Sequence, residues 1–310
     1  MILLAIPAVG LAAVSIAAFF GEWIWWLDVL ANFRAQYAIA LAVLGVLVMM
    51  SKWRRIGYGV LGVAAINLLV VLPLYVGSPG PSEATAPSVR VMSFNLLSTN
   101  ESFSDVVEYI EVTDPDLVLL YEASRPWEVA LESSGLDYEI IRPRSDNLIF
   151  GTLVLVRGED VEAVSFGFAE AQPRAVEIKY RPTGWPEEVS VLSTHPLAPT
   201  EKQRAALRNA QLAFAGDWAA SQEGAFFVVG DFNATPWSSP FRKILASAEL
   251  RNSQIGFGLQ PSFPAMSVFV MRVPIDHLLH SPELNVRDRR LGPALGSDHF
   301  PLLVDLELTP

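Results

Sequence analysis

The sequence predicts an α/β or α+β sandwich domain that follows a membrane-spanning segment. Two observations support this prediction. The first 77 residues contain three strongly apolar, uncharged stretches, whereas the remaining residues alternate short strand-like apolar runs with a few amphipathic helices. Such an alternation, without repeats or low-complexity tracts, is typical of sheets covered by helices.

The composition excludes several classes of protein. Of the 310 residues, 51% are hydrophobic and only 18% are charged, which is too hydrophobic for a disordered chain. The chain has no Cys, so a disulfide scaffold and a Cys-ligated zinc site are excluded. The net charge of -11 excludes a basic protein that coats nucleic acids.

Three membrane-spanning helices are predicted at about 2–20, 35–51 and 56–76, where the chain carries no charge. A span needs about 20 mainly apolar residues, with a range of about 17 to 25, so the second candidate is at the short limit. Buried core helices are the alternative interpretation. Three such runs in close succession favour membrane spans.

The distribution of charge predicts the orientation in the membrane. The loop 21–34 carries two acidic residues and one basic residue, whereas the short loop 51–55 carries three basic residues. The positive-inside rule places the basic loop in the cytoplasm. The sequence therefore predicts a multi-pass protein of the cytoplasmic (inner) membrane, with a linker at 78–87 and an extracytoplasmic domain at 88–310.

Polar side chains are expected at the ends of several strands in this domain. Residues 89–95 and 116–122 are predicted strands of one βαβ unit, so Asn95 and Glu122 should finish at the same sheet edge. The segment GDFNATPW ends another strand and carries two more polar residues, Asp231 and Asn233, spaced to share a face. Further strand candidates, VSVLSTH, IDHLLHS and HFPLLVDLEL, bring four residues to strand ends: His195, Asp276, Asp298 and His299.

Carboxylates, carboxamides and imidazoles gathered at one edge favour metal-assisted hydrolysis of a phosphate ester. The oxygen ligands of Glu122, Asn95 and Asp298 suit Mg²⁺, with Mn²⁺ or Ca²⁺ as alternatives. A His held by an Asp has a fixed tautomer, which is the relationship expected between His299 and Asp276. The chain has no Cys nucleophile and no GxSxG elbow, so acyl transfer is disfavoured.

Six segments together resemble one family over essentially all of residues 88–310. In chain order they are SFNLL, DPDLVLLYE, STHPLAP, GDFNATPW, IDHLL and GSDHFPL. This pattern is similar to the endonuclease/exonuclease/phosphatase superfamily, in a membrane-anchored bacterial form. The resemblance implies a four-layer sandwich of two packed mixed β-sheets flanked by helices, a divalent metal, and in-line attack by water on phosphorus.

The resemblance also implies roles for the eight residues. Glu122 would hold the metal, with Asn95 and Asp298 supporting the metal or its waters. Asp231 and Asn233 would orient the nucleophile and bind the phosphate. His299, paired with Asp276, would act as general base or polarise the phosphate, and His195 would bind phosphate or assist the leaving oxygen.

Each residue also has an ordinary structural interpretation. Asn95 and Asn233 are common turn formers, and Glu122 is a typical acidic residue at the start of a helix. For the eight residues, the presence of all six segments in the order of the family outweighs these structural interpretations. For His277 and His280 the structural interpretation, as ordinary surface imidazoles, is preferred.

The hypothesis from the sequence is a membrane-anchored phosphodiesterase acting on a phospholipid headgroup or a small extracytoplasmic phosphoester. The residues up to Gly77 include four of the 22 basic and two of the 33 acidic residues, which leaves a net charge of -13 for the rest. Such a charge disfavours, without excluding, a nucleic acid as substrate. A membrane-tethered endonuclease or exonuclease and a catalytically silent binding module remain as alternatives. The oligomeric state is unknown from the sequence.

Overall fold

The structure is a computed structural model and describes residues 2–77, 87–142, 151–167 and 175–309. The predicted linker at 78–87 lies almost entirely outside the described residues. The helices of the described ranges are α1 (Ile2–Ala17), α2 (Trp25–Ala31), α3 (Arg34–Met49), α4 (Arg54–Val71), α5 (Phe103–Thr113), α6 (Arg125–Ser133), α7 (Lys202–Ala220) and α8 (Ser239–Ser247).

The strands form two mixed sheets. The strands are β1 (Ser88–Asn95), β2 (Leu117–Tyr121), β3 (Glu139–Ile141), β4 (Thr152–Val156), β5 (Glu159–Phe166), β6 (Ala175–Arg181), β7 (Val189–Ser193), β8 (Phe226–Asp231), β9 (Arg251–Asn252), β10 (Asp276–His280), β11 (Leu284–Leu291) and β12 (Leu302–Leu308). The first sheet has the order β11-β12-β1-β2-β4-β3, and the second has the order β5-β6-β7-β8-β10-β9.

Three apolar layers hold the domain together and confirm the predicted four-layer sandwich. The central layer lies between the two sheets and includes Val91 and Leu119 from the first sheet and Val191 from the second. A second layer packs α5 and α6 against the first sheet, with Trp127 fully buried. A third layer packs α7 and α8 against the second sheet around Phe241. Strands buried on both faces explain the continuous apolar runs of the sequence.

The N-terminal region contains two helices that are long and apolar enough to cross a membrane, at Leu3–Phe20 and Arg54–Leu74. The middle candidate, α3, meets the same criteria only together with α2, from which it is bent by 68°. Alone, its 16 residues reach only about 24 Å, less than the roughly 30 Å of hydrocarbon in a bilayer. By length and composition, two helices could therefore cross a membrane, or three if the bent pair α2 and α3 is one span.

The segment predicted as the loop 21–34 contains the short helix α2, which packs against α7 of the domain. A buried ion pair joins the two helices: Arg208 Nη2 lies 2.7 Å from Asp28 Oδ2. Beyond α4, the backbone carbonyl of Leu74 accepts hydrogen bonds from Gly256 and Gly258. The domain is thus docked on the apolar helices through specific contacts.

Candidate active site

The site begins where two neighbouring strands of the first sheet end. β1 and β2 are parallel, and Asn95 pairs with Tyr121, so Glu122 follows directly at the same edge. Glu122 has a φ of 55°, a left-handed conformation that is uncommon for a residue with a side chain. Such conformations are found where the surrounding structure fixes a functional side chain.

The second sheet brings its own polar residues to the facing edge. β7 and β8 are parallel, whereas β10 is antiparallel to β8, and Asp276 pairs directly with Asp231. Gly230 precedes Asp231 with a φ of 150°, and a Cβ there would lie 1.8 Å from the carbonyl oxygen of Thr194. Only glycine fits this close approach of β8 to the end of β7.

Asn95 links the two sheets through its side-chain amide. Its Nδ2 donates to Glu122 Oε1 and to Asp231 Oδ2, both at 3.2 Å, while its Oδ1 accepts from the amide of Leu97 at 3.1 Å. The other carboxylate oxygen of Glu122 accepts from the backbone amide of Ser98 at 3.1 Å. These bonds fix the positions of two carboxylates from different sheets.

His299 lies between two buried aspartates. Its Nδ1 donates to Asp276 Oδ2 at 2.9 Å, and its Nε2 lies 3.6 Å from Asp231 Oδ2. His195 approaches the same oxygen of Asp231, with Nε2 at 3.5 Å. The structure therefore brings the His299–Asp276 pair together as the sequence predicts, and adds Asp231 as a shared neighbour of both imidazoles.

Charge determines the protonation of this cluster. Burial alone would lower the pKa of His299, but the carboxylates of Asp276 and Asp231 raise it to about 10. Burial raises the pKa of Asp231. Burial would also raise the pKa of Asp276, but the positive charge and hydrogen bond of His299 lower it. At neutral pH the site therefore holds an imidazolium, and Asp231 is more basic than an ordinary aspartate.

The remaining predicted residues lie on the solvent side. Asn233, Glu122 and Asp298 are half-buried, whereas the other five are buried. Asn233 has a φ of 48° and its Nδ2 donates to the carbonyl of Pro196 at 3.0 Å. The carboxylate of Asp298 makes no hydrogen bond among the described residues. All eight predicted residues lie where the facing edges of the two sheets meet, and their individual roles stay predictions.

Several supporting residues were not singled out from the sequence. Ser297 Oγ donates to the carbonyl of Asn95 at 2.7 Å and accepts from the amide of His299 at 3.0 Å. The buried guanidinium of Arg289 donates to the carbonyl of Asp276 at 3.1 Å. The serine of GSDHFPL, two residues before a His, has the spacing of a local hydroxyl-to-backbone turn, whereas Arg289 carries no such local signal.

The two other histidines and the tryptophan of GDFNATPW have structural roles. His277 is buried, and its Nε2 is 2.8 Å from the carbonyl oxygen of Ala234. His280 is also buried, with Nδ1 2.9 Å from the carbonyl oxygen of Ser281. Trp237 belongs to an apolar cluster shared with the N-terminal helices. The structural interpretation of both histidines is supported, although they are buried rather than on the surface.

The loop after β8 is held by the N-terminal helices. Arg208 Nη1 donates to the carbonyl of Asn233 at 2.9 Å, and Arg208 is itself paired with Asp28. Two residues further along, the hydroxyl of Thr235 donates to Asn32 Oδ1 at 2.9 Å. The position of the active-site loop therefore depends on contacts with α2 and its end.

The donor set of the site fits a hard divalent cation. The edge gathers four carboxylates, from Glu122, Asp231, Asp276 and Asp298. In the described part of the chain none of the four forms a salt bridge with Lys or Arg. Ligand atoms of Asp231, Asp276 and His299 lie within 4.8 Å of one another, but a cation among them would face the imidazolium. Glu122, half-buried and outside that cluster, is the better holder.

Comparison with known proteins agrees with this architecture. A family model described as Endonuclease/Exonuclease/phosphatase family matches residues 92–299, two thirds of the chain. A search of curated protein sequences gave no match.

Three solved structures illustrate the likeness in fold. D. rerio TDP2 complexed with single strand DNA product has a TM-score of 0.61 and 14% identity, over 71% of this chain and 99% of that one. An endonuclease/exonuclease/phosphatase from Bacteroides vulgatus has a TM-score of 0.59 and 17% identity, over 72% and 100%. The human Nocturnin catalytic domain with bound sulfate anion has a TM-score of 0.52 and 20% identity, over 72% and 96%. The chain therefore belongs to the endonuclease/exonuclease/phosphatase family and is a metal-dependent hydrolase of phosphate esters.

Proposed function

We propose that the protein is a membrane-anchored, divalent-metal-dependent phosphodiesterase. Its substrate is a phospholipid headgroup or a small extracytoplasmic phosphoester, and the bond to phosphorus is broken by in-line attack of water. The observation that carries the proposal is that Asn95 Nδ2 donates hydrogen bonds to Glu122 and to Asp231, while His299 Nε2 lies 3.6 Å from the same carboxylate oxygen of Asp231.

The protonation of the cluster supports a division of roles. His299, charged and fixed by Asp276, donates from Nε2 to a phosphoryl oxygen and stabilises the negative charge that develops there. Asp231, whose pKa is raised by burial, accepts the proton of the attacking water. His195 lies beside Asp231 and protonates or binds the leaving oxygen. In this proposal His299 is a polarising group rather than a general base.

Mg²⁺ is the proposed metal, with Mn²⁺ or Ca²⁺ as alternatives, and Glu122 is its main ligand. When bound, the cation supplies positive charge that neutralises the phosphoryl oxygens. Asn95 keeps the carboxylate of Glu122 in place, and Asp298 supports the metal or its waters from the half-buried rim.

The arrangement of the helices supports the membrane location. The ends of α1 and α4 and the start of α3 line a cavity together with the catalytic domain, whereas the basic residues of 51–55 lie at the other end of α3 and α4. We place that basic end in the cytoplasm and the catalytic domain at 88–310 outside it. A domain docked on such helices has its site close to lipid headgroups, and its net charge of -13 is unfavourable for long polyanions.

A membrane-tethered nuclease is the second candidate. The observation in its favour is the fold shared with D. rerio TDP2, whose structure is described as complexed with single strand DNA product. A catalytically silent binding module is less well supported, because all eight side chains of the site are present.

A substrate panel tests the proposal. The full chain in detergent is assayed with Mg²⁺ against phospholipids, a chromogenic phosphodiester and plasmid DNA, with a chelator as control. We expect hydrolysis of a lipid or small phosphodiester, lost with the chelator and reduced at least about 1,000-fold by Glu122→Gln and by His299→Ala. Cleavage of DNA alone would favour the nuclease, and full activity of both variants would refute the site.

A further inference from the structure

A cavity of about 630 Å³ lies between the N-terminal helices and the catalytic domain. Its walls come from the ends of α1 and α4 and the start of α3 on one side. On the other side they come from the loop after β8, from α8, and from the region of β9 to β11. The volume is typical of cavities that bind small molecules.

The cavity is basic in a protein that is acidic overall. Three arginines line it: Arg34, Arg242 and Arg251. Among the described residues no Asp or Glu lines it, although the chain has a net charge of -11. Within the same ranges none of its three arginines forms a salt bridge. A concave surface with positive charge of this kind attracts an anion.

Arg34 gives this surface an unpaired, buried cation. The residue is 1% exposed, and its Nη1 donates to the carbonyl of Ser15 at 2.8 Å and to Asn67 Oδ1 at 3.2 Å. Its Nε is buried without a hydrogen-bond partner in the described part of the chain. Its guanidinium lies over the ring of Phe19, 3.6 Å from the centroid. A buried guanidinium without a counter-ion destabilises the folded protein, because its charge is removed from water. An anionic ligand beside it would offset this desolvation cost.

Apolar side chains of the membrane region form the rest of the wall. Phe19, Val70 and Leu74 come from the helix ends, and Trp237 comes from the loop that follows the active site. Phe19 is 38% exposed. The cavity thus places basic groups next to apolar groups at the ends of the helices. The basic groups match the phosphate of a lipid, and the apolar groups match its acyl chains.

The cavity is separate from the catalytic residues, because none of the eight lines it. β10 connects the two places: Asp276 at its start belongs to the site, and His280 at its end belongs to the cavity. Four residues of extended chain separate these positions by about 13 Å. A ligand in the cavity is therefore not the substrate.

We propose that this cavity binds one anionic phospholipid between the membrane helices and the catalytic domain. The phosphate diester lies among Arg34, Arg242 and Arg251, which form charge-assisted and bidentate hydrogen bonds with its oxygens. The upper part of an acyl chain lies on Phe19 and Val70. A zwitterionic lipid binds less well because the cavity offers no carboxylate for an ammonium group. The bound lipid stabilises the docking of the domain.

The test measures binding and not catalysis. The full chain is delipidated in a mild detergent, and phosphatidylglycerol or phosphatidylcholine is added in mixed micelles. We expect one phosphatidylglycerol per chain in native mass spectrometry, and a melting temperature that rises with phosphatidylglycerol but not with phosphatidylcholine. The double variant Arg242→Gln/Arg251→Gln, whose side chains are exposed, should weaken binding about tenfold or more.

Two further variants make the result specific. Arg54→Gln/Arg55→Gln removes the same charge at the other end of the helices and should leave phosphatidylglycerol binding unchanged. Val70→Trp keeps the charge, fills the apolar part, and should abolish binding. The proposal is overturned if Arg242→Gln/Arg251→Gln binds normally, if the control variant loses binding instead, or if inorganic phosphate alone stabilises the protein as well as the lipid does.

Discussion

Asp28 and Arg208 form a buried ion pair that joins the apolar N-terminal region to the catalytic domain, with 2.7 Å between Oδ2 and Nη2. The second oxygen of Asp28 accepts a hydrogen bond from the amide of Ser239 at 2.6 Å. Arg208 uses its other terminal nitrogen to hold the carbonyl of Asn233. Two side chains thus connect a short helix of the N-terminal region to the loop of the active site.

The first prediction concerns this pair. Asp28→Asn leaves Arg208 fully buried without a counter-charge, so we expect a loss of about 3 to 5 kcal/mol in the free energy of unfolding. We also expect kcat/KM to fall about 10- to 100-fold, because Asn233 loses its fixed position. Chemical unfolding of the full chain in detergent and steady-state kinetics provide the two measurements.

The matched control is Asp217→Asn, which removes the same charge from an exposed position on α7. It should change the free energy of unfolding by less than about 0.5 kcal/mol. Equal effects of the two substitutions would show that the ion pair does not couple the two regions.

This coupling could not be predicted from the sequence. Asp28 lies in a segment that reads as a loop between two spans, and its partner is 180 positions away. Hydropathy identifies a segment as apolar but does not report which surface covers it. The sequence predicted a linker at 78–87, and it carried no signal for the docking through α2.

The catalytic edge, in contrast, follows from strand directions. Asn95 and Glu122 meet because parallel strands end at the same edge, a rule that needs only the βαβ pattern. Asp231 pairs with Asp276 because β10 runs antiparallel to β8, and the sequence alone did not decide the direction of β10. The support from Ser297 depends on three-dimensional contacts, and no periodicity encodes it.

Substitution of the proposed metal ligand, Glu122, should change how strongly Mg²⁺ stabilises the protein, which can be measured without an activity assay. We expect Mg²⁺ to stabilise the wild type by about 3 kcal/mol at 100 times its dissociation constant, because the ion binds only the folded state. Glu122→Gln should remove this stabilisation, whereas Glu111→Gln, at an exposed position of α5, should retain it. Melting curves with and without Mg²⁺ measure this stabilisation. If Mg²⁺ stabilised Glu122→Gln as much as the wild type, Glu122 would be excluded as the ligand.

A substitution at Gly230 should damage the site through the backbone. A Cβ at this position would meet the carbonyl oxygen of Thr194 at 1.8 Å, so β7 and β8 must separate. We expect Gly230→Ala to cost at least about 3 kcal/mol in the free energy of unfolding and to reduce activity. Gly224→Ala is the control, since it also has a positive φ of 72° but nothing within 4 Å, and should cost only about 1 kcal/mol. Similar costs for both variants would contradict the steric argument.

The charge of His299 predicts a dependence of stability on pH. Its pKa is raised from 6.5 to about 10 in the folded state, because two aspartates favour the imidazolium more than burial disfavours it. The stabilisation is therefore complete below pH 6.5 and is lost as the pH rises towards 10. With a chelator present, the difference in unfolding free energy between the wild type and His299→Asn should decrease as the pH rises from 6.5 to 10.

His280→Asn is the control for this titration. Burial lowers the pKa of His280 to about 4, so above about pH 7.5 this residue is neutral in both the folded and the unfolded state. The difference in unfolding free energy between the wild type and His280→Asn should therefore stay constant between about pH 7.5 and 10. A constant difference for His299→Asn as well would mean that its imidazole is neutral in the folded protein.

The orientation in the membrane can be measured with single cysteines, because the natural chain has none. Glu223→Cys places a thiol at an exposed position of the catalytic domain, and Lys52→Cys places one in the basic loop between α3 and α4. If the basic loop is cytoplasmic, a membrane-impermeant maleimide added to intact bacterial cells should label only Glu223→Cys. Lys52→Cys should react after permeabilisation. The reverse pattern would place the catalytic domain in the cytoplasm, where the proposed extracytoplasmic substrates are out of reach.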